Sequence, residues 1–285
     1  MFARIITSKV RKELNKMNFA FNGEILPLKV ENDIWTLNVF KLDKTFVIRY
    51  YDFSNSKYYI DKYLIMEKYG ISMPKIVSYS DKLIVFEDYN DFNKYQRIDK
   101  DTISNNSVRK IAMWYKTLHS HNELYETSCK EYFSLANINK IIKKYNLQYS
   151  ENFKYIYENF YNINLKLSKL NECFVLNDFN LNNFVISKEN GQIICCKFDS
   201  FMRGFSYFDI RKIKEIFNKE NFEIFMSEYG NIKEDEYVIG DAISKIIDLY
   251  LSINDDTISI ETKKILDEVI SGKFEEKIKC IVEWY

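Results

Sequence analysis

The spacing of apolar residues along this chain changes from helical to alternating and then back to helical. Residues 25–51 contain three segments rich in β-branched and aromatic residues, which predict strands: LPLKV, TLNVFKL and TFVIRYY. A helix is expected over residues 56–69, ending at Gly70, and two further strands follow it, KIVSYS and KLIVFEDY. Before the first strand, residues 4–17 predict a short helix from the apolar positions Ile5, Ile6, Val10 and Leu14.

Helical spacing dominates after about residue 92. A long stripe from about Glu151 to Leu167 predicts one helix, and further helical patterns cover residues 107–118, 209–218, 241–253, 261–270 and 274–284. Two apolar strands joined by a turn, over 174–199, interrupt these helices. The order predicts an α+β fold with two lobes, a small antiparallel β-sheet lobe over residues 1–89 and a larger helical lobe over residues 90–285.

The interrupting strand pair carries three polar residues with a chemically informative spacing. Asn183 follows Asp178 by five positions, and Asp199, which comes 21 positions after Asp178, follows directly on the apolar run IICCKF. Phosphoryl transfer needs a carboxylate that orients a hydroxyl and oxygen ligands that hold Mg2+ on the phosphates. Each residue alone is equally typical of a turn or loop, but the three together indicate a phosphotransferase site.

Composition excludes several other classes of function. The 41 basic and 41 acidic residues give a formal charge of zero, and no Lys/Arg block favours a nucleic-acid or anionic-membrane partner. Five scattered cysteines predict buried thiols rather than a disulfide framework or a zinc site. No signal peptide or long apolar run is evident, so we expect no membrane span and a cytoplasmic location.

The motifs and their order resemble the aminoglycoside phosphotransferase and choline kinase superfamily, which has a bilobal protein-kinase-like fold. The segment LNDF followed by Asn183 is similar to the catalytic loop of that family, and the landmarks span residues 25–212. The resemblance implies ATP and Mg2+ as cofactors and a small-molecule hydroxyl as acceptor. It further implies that Asp178 is the catalytic carboxylate and that Asn183 and Asp199 are metal ligands.

The same resemblance assigns cofactor-binding roles in the first lobe. Arg49 in FVIRYYD is expected to contact the α- and β-phosphates, since some choline kinases use Arg there. A carboxylate on the following helix, Asp61 or Glu67, is expected to hold that cation. Residues 86–89, FEDY, are similar to the segment of that family that connects the two lobes, called the hinge. There the backbone groups of Glu87 and Tyr89 are expected to bind the purine.

Two further positions are expected to support the catalytic loop. His119, in the segment YKTLHSH, is interpreted as a structural histidine beneath the loop. Asp209, in the segment FDI, is expected to cap a helix or to clamp the loop.

The sequence also departs from the family pattern at three places. Leu176 stands where the catalytic loop of the family has His, and the first hairpin segment VENDIWTLN has no glycine. Residues 200–203 lack the acidic and aromatic run that choline kinases carry after the metal-binding Asp. Choline or ethanolamine is the preferred type of acceptor, an aminoglycoside is the alternative, and a catalytically silent kinase-like binding protein is a third hypothesis. The oligomeric state is not indicated.

Overall fold

The structure is a computed structural model that describes residues 2–21, 24–31, 34–41, 44–53, 56–100, 103–122, 128–197, 200–255, 257–270 and 273–283. The predicted metal ligand Asp199 and the turn at 32–33 lie outside these residues. The chain forms two compact units. The first comprises Met1–Trp114 with Asn180–Asp199, and the second comprises Tyr115–Phe179 with Ser200–Tyr285.

Ten strands and eleven α-helices lie in the described part of the chain. The strands are β1 (Ile25–Glu31), β2 (Ile34–Lys41), β3 (Lys44–Tyr51), β4 (Ile76–Tyr79), β5 (Leu83–Glu87), β6 (Tyr95–Arg97), β7 (Cys173–Val175), β8 (Phe184–Ser187), β9 (Ile193–Cys195) and β10 (Met202–Gly204). The helices are α1 (Phe2–Lys16), α2 (Ser56–Lys68), α3 (Asn105–His119), α4 (Leu135–Tyr145), α5 (Glu151–Glu158), α6 (Phe160–Lys169), α7 (Ser206–Ile216), α8 (Lys219–Tyr229), α9 (Glu234–Leu251), α10 (Ile260–Ile270) and α11 (Lys273–Glu283).

The first unit is built on an antiparallel sheet with strand order β1-β2-β3-β5-β4. One face of this sheet is apolar, and the buried residues of α1 join it in a single cluster that includes Val10, Leu14, Leu37 and Ile48. On β2 and β3 the alternate residues point to the opposite face, because side chains along a strand alternate between faces. There Tyr63 of α2 packs on Phe86 of β5, with ring centroids 5.1 Å apart. One face of the sheet is therefore covered by α1, and the opposite face carries polar side chains such as Arg49.

A second, three-stranded sheet, β6-β8-β9, completes the first unit. Its hairpin β8–β9 comes from the strand pair predicted at 174–199, so part of that segment joins the first unit and not the helical one. The compact units thus do not follow the chain order of the predicted lobes 1–89 and 90–285. The functional division into a nucleotide-binding lobe and a catalytic lobe stays a prediction.

The second unit is helical and is centred on α9. Its residues Ile239, Ala242, Ile243, Ile246, Ile247 and Leu249 are buried in one large apolar cluster. A two-stranded sheet, β7-β10, lies in the same unit. Four of the five cysteines are buried, as expected, whereas Cys280 is exposed. Among the described helices, none is both long and apolar enough to cross a bilayer.

Candidate active site

A cavity of about 490 Å³ lies in the first unit and brings three of the predicted site residues together. These are Arg49 of β3, Tyr89 after β5 and Asn183 before β8. The other lining residues are Leu28, Lys29, Thr36, Asn38, Asn90, Phe92, Arg97, Asn182, Val185, Cys196 and Lys197. Three residues that lie 40 to 134 positions apart in sequence therefore line one cavity.

Arg49 is held in this cavity by an aromatic anchor. It is 5% exposed, and its Nη1 donates a hydrogen bond of 2.7 Å to the hydroxyl of Tyr63. The guanidinium also lies 5.9 Å from the centre of the Tyr63 ring. Asp61, the expected partner, is partly buried on the same helix, and among the described residues it forms no ion pair with Arg49. The helical residue that contacts Arg49 is thus two positions further along than the sequence suggested.

The charge of the cavity lining is strongly positive. Lys29, Arg49, Arg97 and Lys197 line it, and among the described lining residues there is no carboxylate. Burial raises the pKa of the Cys196 thiol to about 12 against the opposing charges of Arg49 and Arg97, so this thiol adds no negative charge at neutral pH. Four cationic side chains on one lining favour an anionic ligand.

The same cavity also has an apolar part. Leu28, Phe92 and Val185 line it together with Tyr89. Val185 belongs to a small buried cluster with Ile194 and Cys196, against which Tyr89 packs. A lining that is apolar in one part and cationic in another suits a ligand with an aromatic ring and phosphates.

Glu87 lies elsewhere. It lines a separate cavity of about 860 Å³ in the same unit, together with Lys75. Its backbone N–H donates to the carbonyl of Lys75 at 3.0 Å, and the side chains of the two residues are 3.9 Å apart. Tyr89 and Glu87, which the hinge motif groups together, thus line different cavities.

Asn183 is fixed by local turn chemistry and by the neighbouring strand. It ends a short 3-10 helix, Leu181–Asn183, whose N-cap Asn180 accepts a hydrogen bond from the Asn182 N–H at 2.9 Å. The carbonyl of Asn183 accepts the N–H of Cys196 at 2.7 Å, which joins the two ends of the β8–β9 hairpin. The side-chain oxygen of an Asn suits Mg2+, a hard cation that takes oxygen ligands.

Among the described lining residues, Asn183 is the predicted metal ligand and no carboxylate is present, so a Mg2+ ion held here would need most of its ligands from a bound polyphosphate. Within the described ranges, no group of three or more His, Cys, Asp or Glu side chains stands ready to hold a metal by itself. One amide in a cationic cavity, with Asp199 predicted nearby in sequence, agrees with a metal that arrives with its polyphosphate.

In the second unit, a buried carboxylate holds the predicted catalytic loop. Asp209, in the first turn of α7, is 0% exposed. Its Oδ2 accepts the N–H of Leu176 at 2.9 Å, and its Oδ1 accepts the N–H of Asn177 at 2.7 Å. Asn177 has a positive φ of 51°, which Asn tolerates better than most residues. Of the two roles expected for Asp209, the loop clamp is confirmed, since the N-cap of α7 is Phe205.

His119 supports this clamp from α3. Its Nε2 lies 3.0 Å from Oδ2 of Asp209, and its Nδ1 lies 2.8 Å from the hydroxyl of Tyr229. The predicted structural role of His119 beneath the loop is confirmed.

Asp178, the residue after this clamped dipeptide, is partly exposed. Lys212 lies three positions after Asp209 and therefore on the same side of α7. The pKa of Lys212 is raised above its ordinary value. Burial acts to lower it, but the negative charges of Asp248 and Glu261, with a smaller effect of Asp178, outweigh burial.

The sequence did not predict the roles of Lys212 and Tyr63, since a Lys or Tyr on a helix carries no local signal of its partner.

Comparisons with known proteins give a result for the fold alone. No protein-family model matches the sequence, and no curated protein matches it either. Many solved structures are similar to this chain, among them three that cover nearly all of it. A choline kinase from Streptococcus pneumoniae has a TM-score of 0.63 at 14% identity, with 96% of this chain and 99% of that chain covered.

The second is a choline/ethanolamine kinase family protein from Mesorhizobium loti, with a TM-score of 0.64 at 14% identity over 97% of this chain and 99% of that one. The third is a spectinomycin phosphotransferase, solved with ADP and spectinomycin, with a TM-score of 0.57 at 13% identity over 97% of both chains. The predicted α+β, bilobal protein-kinase-like fold is confirmed, and the resemblance to these phosphotransferases holds at the level of structure.

Proposed function

We propose that this protein is a small-molecule kinase that transfers the γ-phosphate of ATP, with Mg2+, to a hydroxyl group of its substrate. The cavity that contains Arg49, Tyr89 and Asn183 is the main support, because its lining is cationic in one part and apolar in another. A nucleoside triphosphate combines the two matching features, an aromatic base and a polyanion. The structural likeness to kinases and phosphotransferases supports the same reaction class.

In this proposal each predicted residue has a defined role. Asp178 accepts a hydrogen bond from the substrate hydroxyl and takes its proton as the oxygen attacks the γ-phosphorus and ADP leaves. Arg49 binds the phosphates, and the hinge binds the base through the backbone of Tyr89 and the carbonyl of Glu87, since the N–H of Glu87 already donates to Lys75. Asn183 and Asp199 are the magnesium ligands, and Mg2+, when bound, neutralises charge on the phosphate oxygens.

The proposed acceptor is a small alcohol that bears an amine, of the choline or ethanolamine type. The dipeptide Asn177-Asp178 is similar to the Asn-Asp of choline and ethanolamine kinases, and Arg49 resembles the Arg that this branch often uses. Two of the similar structures are of a choline kinase and a choline/ethanolamine kinase family protein. The similar structure that contains spectinomycin supports an aminoglycoside as the alternative acceptor.

The test is a phosphotransfer assay with purified protein, γ-labelled ATP and Mg2+. Choline, ethanolamine, a simple sugar and several aminoglycosides serve as acceptors, and we expect label to appear in an amino alcohol. Asp178→Asn should lower kcat by a factor on the order of 10² to 10⁴ and leave the affinity for ATP nearly unchanged. Asp267→Asn, at an exposed position of α10, is the matched control and should behave as the parent protein.

Three results would separate the hypotheses. Label in an aminoglycoside, together with antibiotic resistance in a sensitive bacterium that expresses the protein, would replace the amino alcohol by the alternative. ATP binding without transfer to any acceptor would favour the silent binding protein. Full activity of Asp178→Asn would remove Asp178 from its role.

A further inference from the structure

The cavity that contains Arg49 is lined by more than one cationic side chain. Lys29 of β1 also lines the cavity, and none of the site assignments made from the sequence includes it. Its position in the sheet relates it directly to Arg49.

The register of the first three strands places Lys29, Thr36 and Arg49 in one row. Lys29 is paired with Thr36 across β1 and β2, and Thr36 is paired with Arg49 across β2 and β3. Directly opposed residues of antiparallel strands project to the same face of a sheet. All three side chains line the same cavity, which agrees with this geometry.

The dimensions of the row suit a polyphosphate. Neighbouring strands lie about 4.8 Å apart, so the backbones of Lys29 and Arg49 are separated by about 10 Å across β2. Two long cationic side chains that start from these positions, with a hydroxyl between them, can contact successive phosphate groups of one ligand. The ammonium and the guanidinium only donate hydrogen bonds, and the hydroxyl can donate as well, so all three groups can donate to phosphate oxygens.

The composition of the hairpin agrees with this arrangement. A glycine-rich turn lets backbone N–H groups approach phosphates closely, but the segment VENDIWTLN between Val30 and Asn38 contains no glycine. The row offers hydrogen-bond donors from side chains of three strands, and these do not depend on a glycine turn.

We infer that Lys29, with Thr36 and Arg49, forms a side-chain phosphate grip on the β1–β2–β3 sheet, and that Lys29 is a nucleotide-binding residue. The inference rests on the proposed nucleotide-dependent function and specifies how the triphosphate is held. Lys29 acts on the phosphates and not on the base, so its contribution grows with the number of phosphate groups in the ligand.

The experiment measures binding and does not depend on turnover. Titration calorimetry of the full chain with adenosine, AMP, ADP, ATP and inorganic tripolyphosphate compares the parent protein with Lys29→Met, Thr36→Val and Lys82→Met. Lys82 is an exposed lysine of the same unit outside the cavity, and it controls for the loss of one charge. Equal melting temperatures show that each variant folds.

Lys29→Met should weaken ATP and tripolyphosphate binding by roughly tenfold, as expected for one charge-assisted hydrogen bond, and leave adenosine binding unchanged. Thr36→Val should show a smaller loss with the same dependence on phosphate number. Lys82→Met should change none of the affinities. The affinity of Lys29→Met for ATP should also fall less steeply with added salt.

Several outcomes overturn the inference. They are an unchanged ATP affinity in Lys29→Met, an equal loss for adenosine and ATP, and a parent protein that binds neither ATP nor tripolyphosphate. Failure of the kinase proposal looks different, because the parent protein would then bind ATP with the phosphate dependence above and yet transfer phosphate to no acceptor.

Discussion

Replacing Asp209 by Asn should loosen the predicted catalytic loop while leaving the shape of the side chain unchanged. In the parent protein the carboxylate is fully buried and accepts the N–H groups of Leu176 and Asn177 as well as a hydrogen bond with His119. An amide retains one accepting oxygen and presents N–H donors on its other side. One of the two loop N–H groups then faces another donor and loses its partner.

The expected cost follows from these contacts. A buried donor left without a partner costs about 1–3 kcal/mol, and hydrogen bonds to a charged acceptor are about twice as strong as those to a neutral one. One lost bond and two weakened bonds together give about 3 kcal/mol for opening the loop. At about 1.4 kcal/mol for each factor of ten, this corresponds to roughly 100-fold faster exchange of the loop amides.

Native-state hydrogen exchange measures this directly at the amides of Leu176 and Asn177. Amides of the α9 core, which make none of the hydrogen bonds of Asp209, should exchange as in the parent protein. Asp267→Asn, an exposed change of the same type in the same unit, is the control and should leave all rates unchanged. If the two loop amides keep parental protection in Asp209→Asn, the carboxylate is not the clamp and the reasoning is refuted.

Two further predictions concern other parts of the molecule. Tyr63→Phe removes the hydroxyl that accepts the 2.7 Å hydrogen bond of Arg49. The urea unfolding midpoint should therefore fall by an amount equivalent to about 1.5–3 kcal/mol, and the affinity for ATP should fall as well. An unchanged midpoint would contradict this role of Tyr63. Burial acts to raise the pKa of Asp241, but the hydrogen bond from Lys277, 2.7 Å away, and two lysine charges lower it below its ordinary value. The contribution of the Asp241 carboxylate to stability is therefore present above about pH 4 and is lost as the pH falls through its folded-state pKa. In urea unfolding, Asp241→Asn should be less stable than the parent protein at about pH 7. At low pH the free energies of unfolding of the two proteins should become equal.

The sequence was sufficient to predict the sheet of the first unit because its signals are local. Alternating apolar residues and a helix over 56–69 correspond to β1–β5 and α2 (Ser56–Lys68). The predicted helix from Glu151 to Leu167 is, however, broken at Asn159 into α5 and α6. The side chain of Asn159 donates to the carbonyl of Tyr155 at 3.0 Å, and this competition with the backbone interrupts a stripe that is continuous in the pattern.

Two helices were missed although their N-terminal signals are present in the sequence. Ser134 caps α4 by accepting the N–H of Asn137 at 3.3 Å, and Asn218 caps α8 by accepting the N–H of Asn221 at 2.8 Å. Ser and Asn are strong N-cap residues, so a search for caps ahead of weak apolar periodicity would have found both.

The candidate site was predictable where a motif spaces its residues along the chain, and not where partners meet through the fold. Arg49, Tyr89 and Asn183 came from motifs and do share a cavity. The pairing of Arg49 with Tyr63 depends instead on how a helix packs on the sheet, and the row with Lys29 depends on strand register. Neither pairing has a fixed spacing along the chain, so neither can be predicted from a single sequence.

The same distinction bears on the departures from the family pattern, which at the sequence level suggest a weakened or silent kinase. Leu176 removes a loop histidine, yet the loop backbone is held by Asp209 and His119. The first hairpin lacks glycine, yet Lys29 lines the same cavity as Arg49, where we propose that both bind phosphate. Side chains from elsewhere in the same unit thus fix the loop in the first case and, under this proposal, supply the phosphate contacts in the second. The loss of a motif residue is therefore weak grounds for inactivity until the contacts that replace it have been sought.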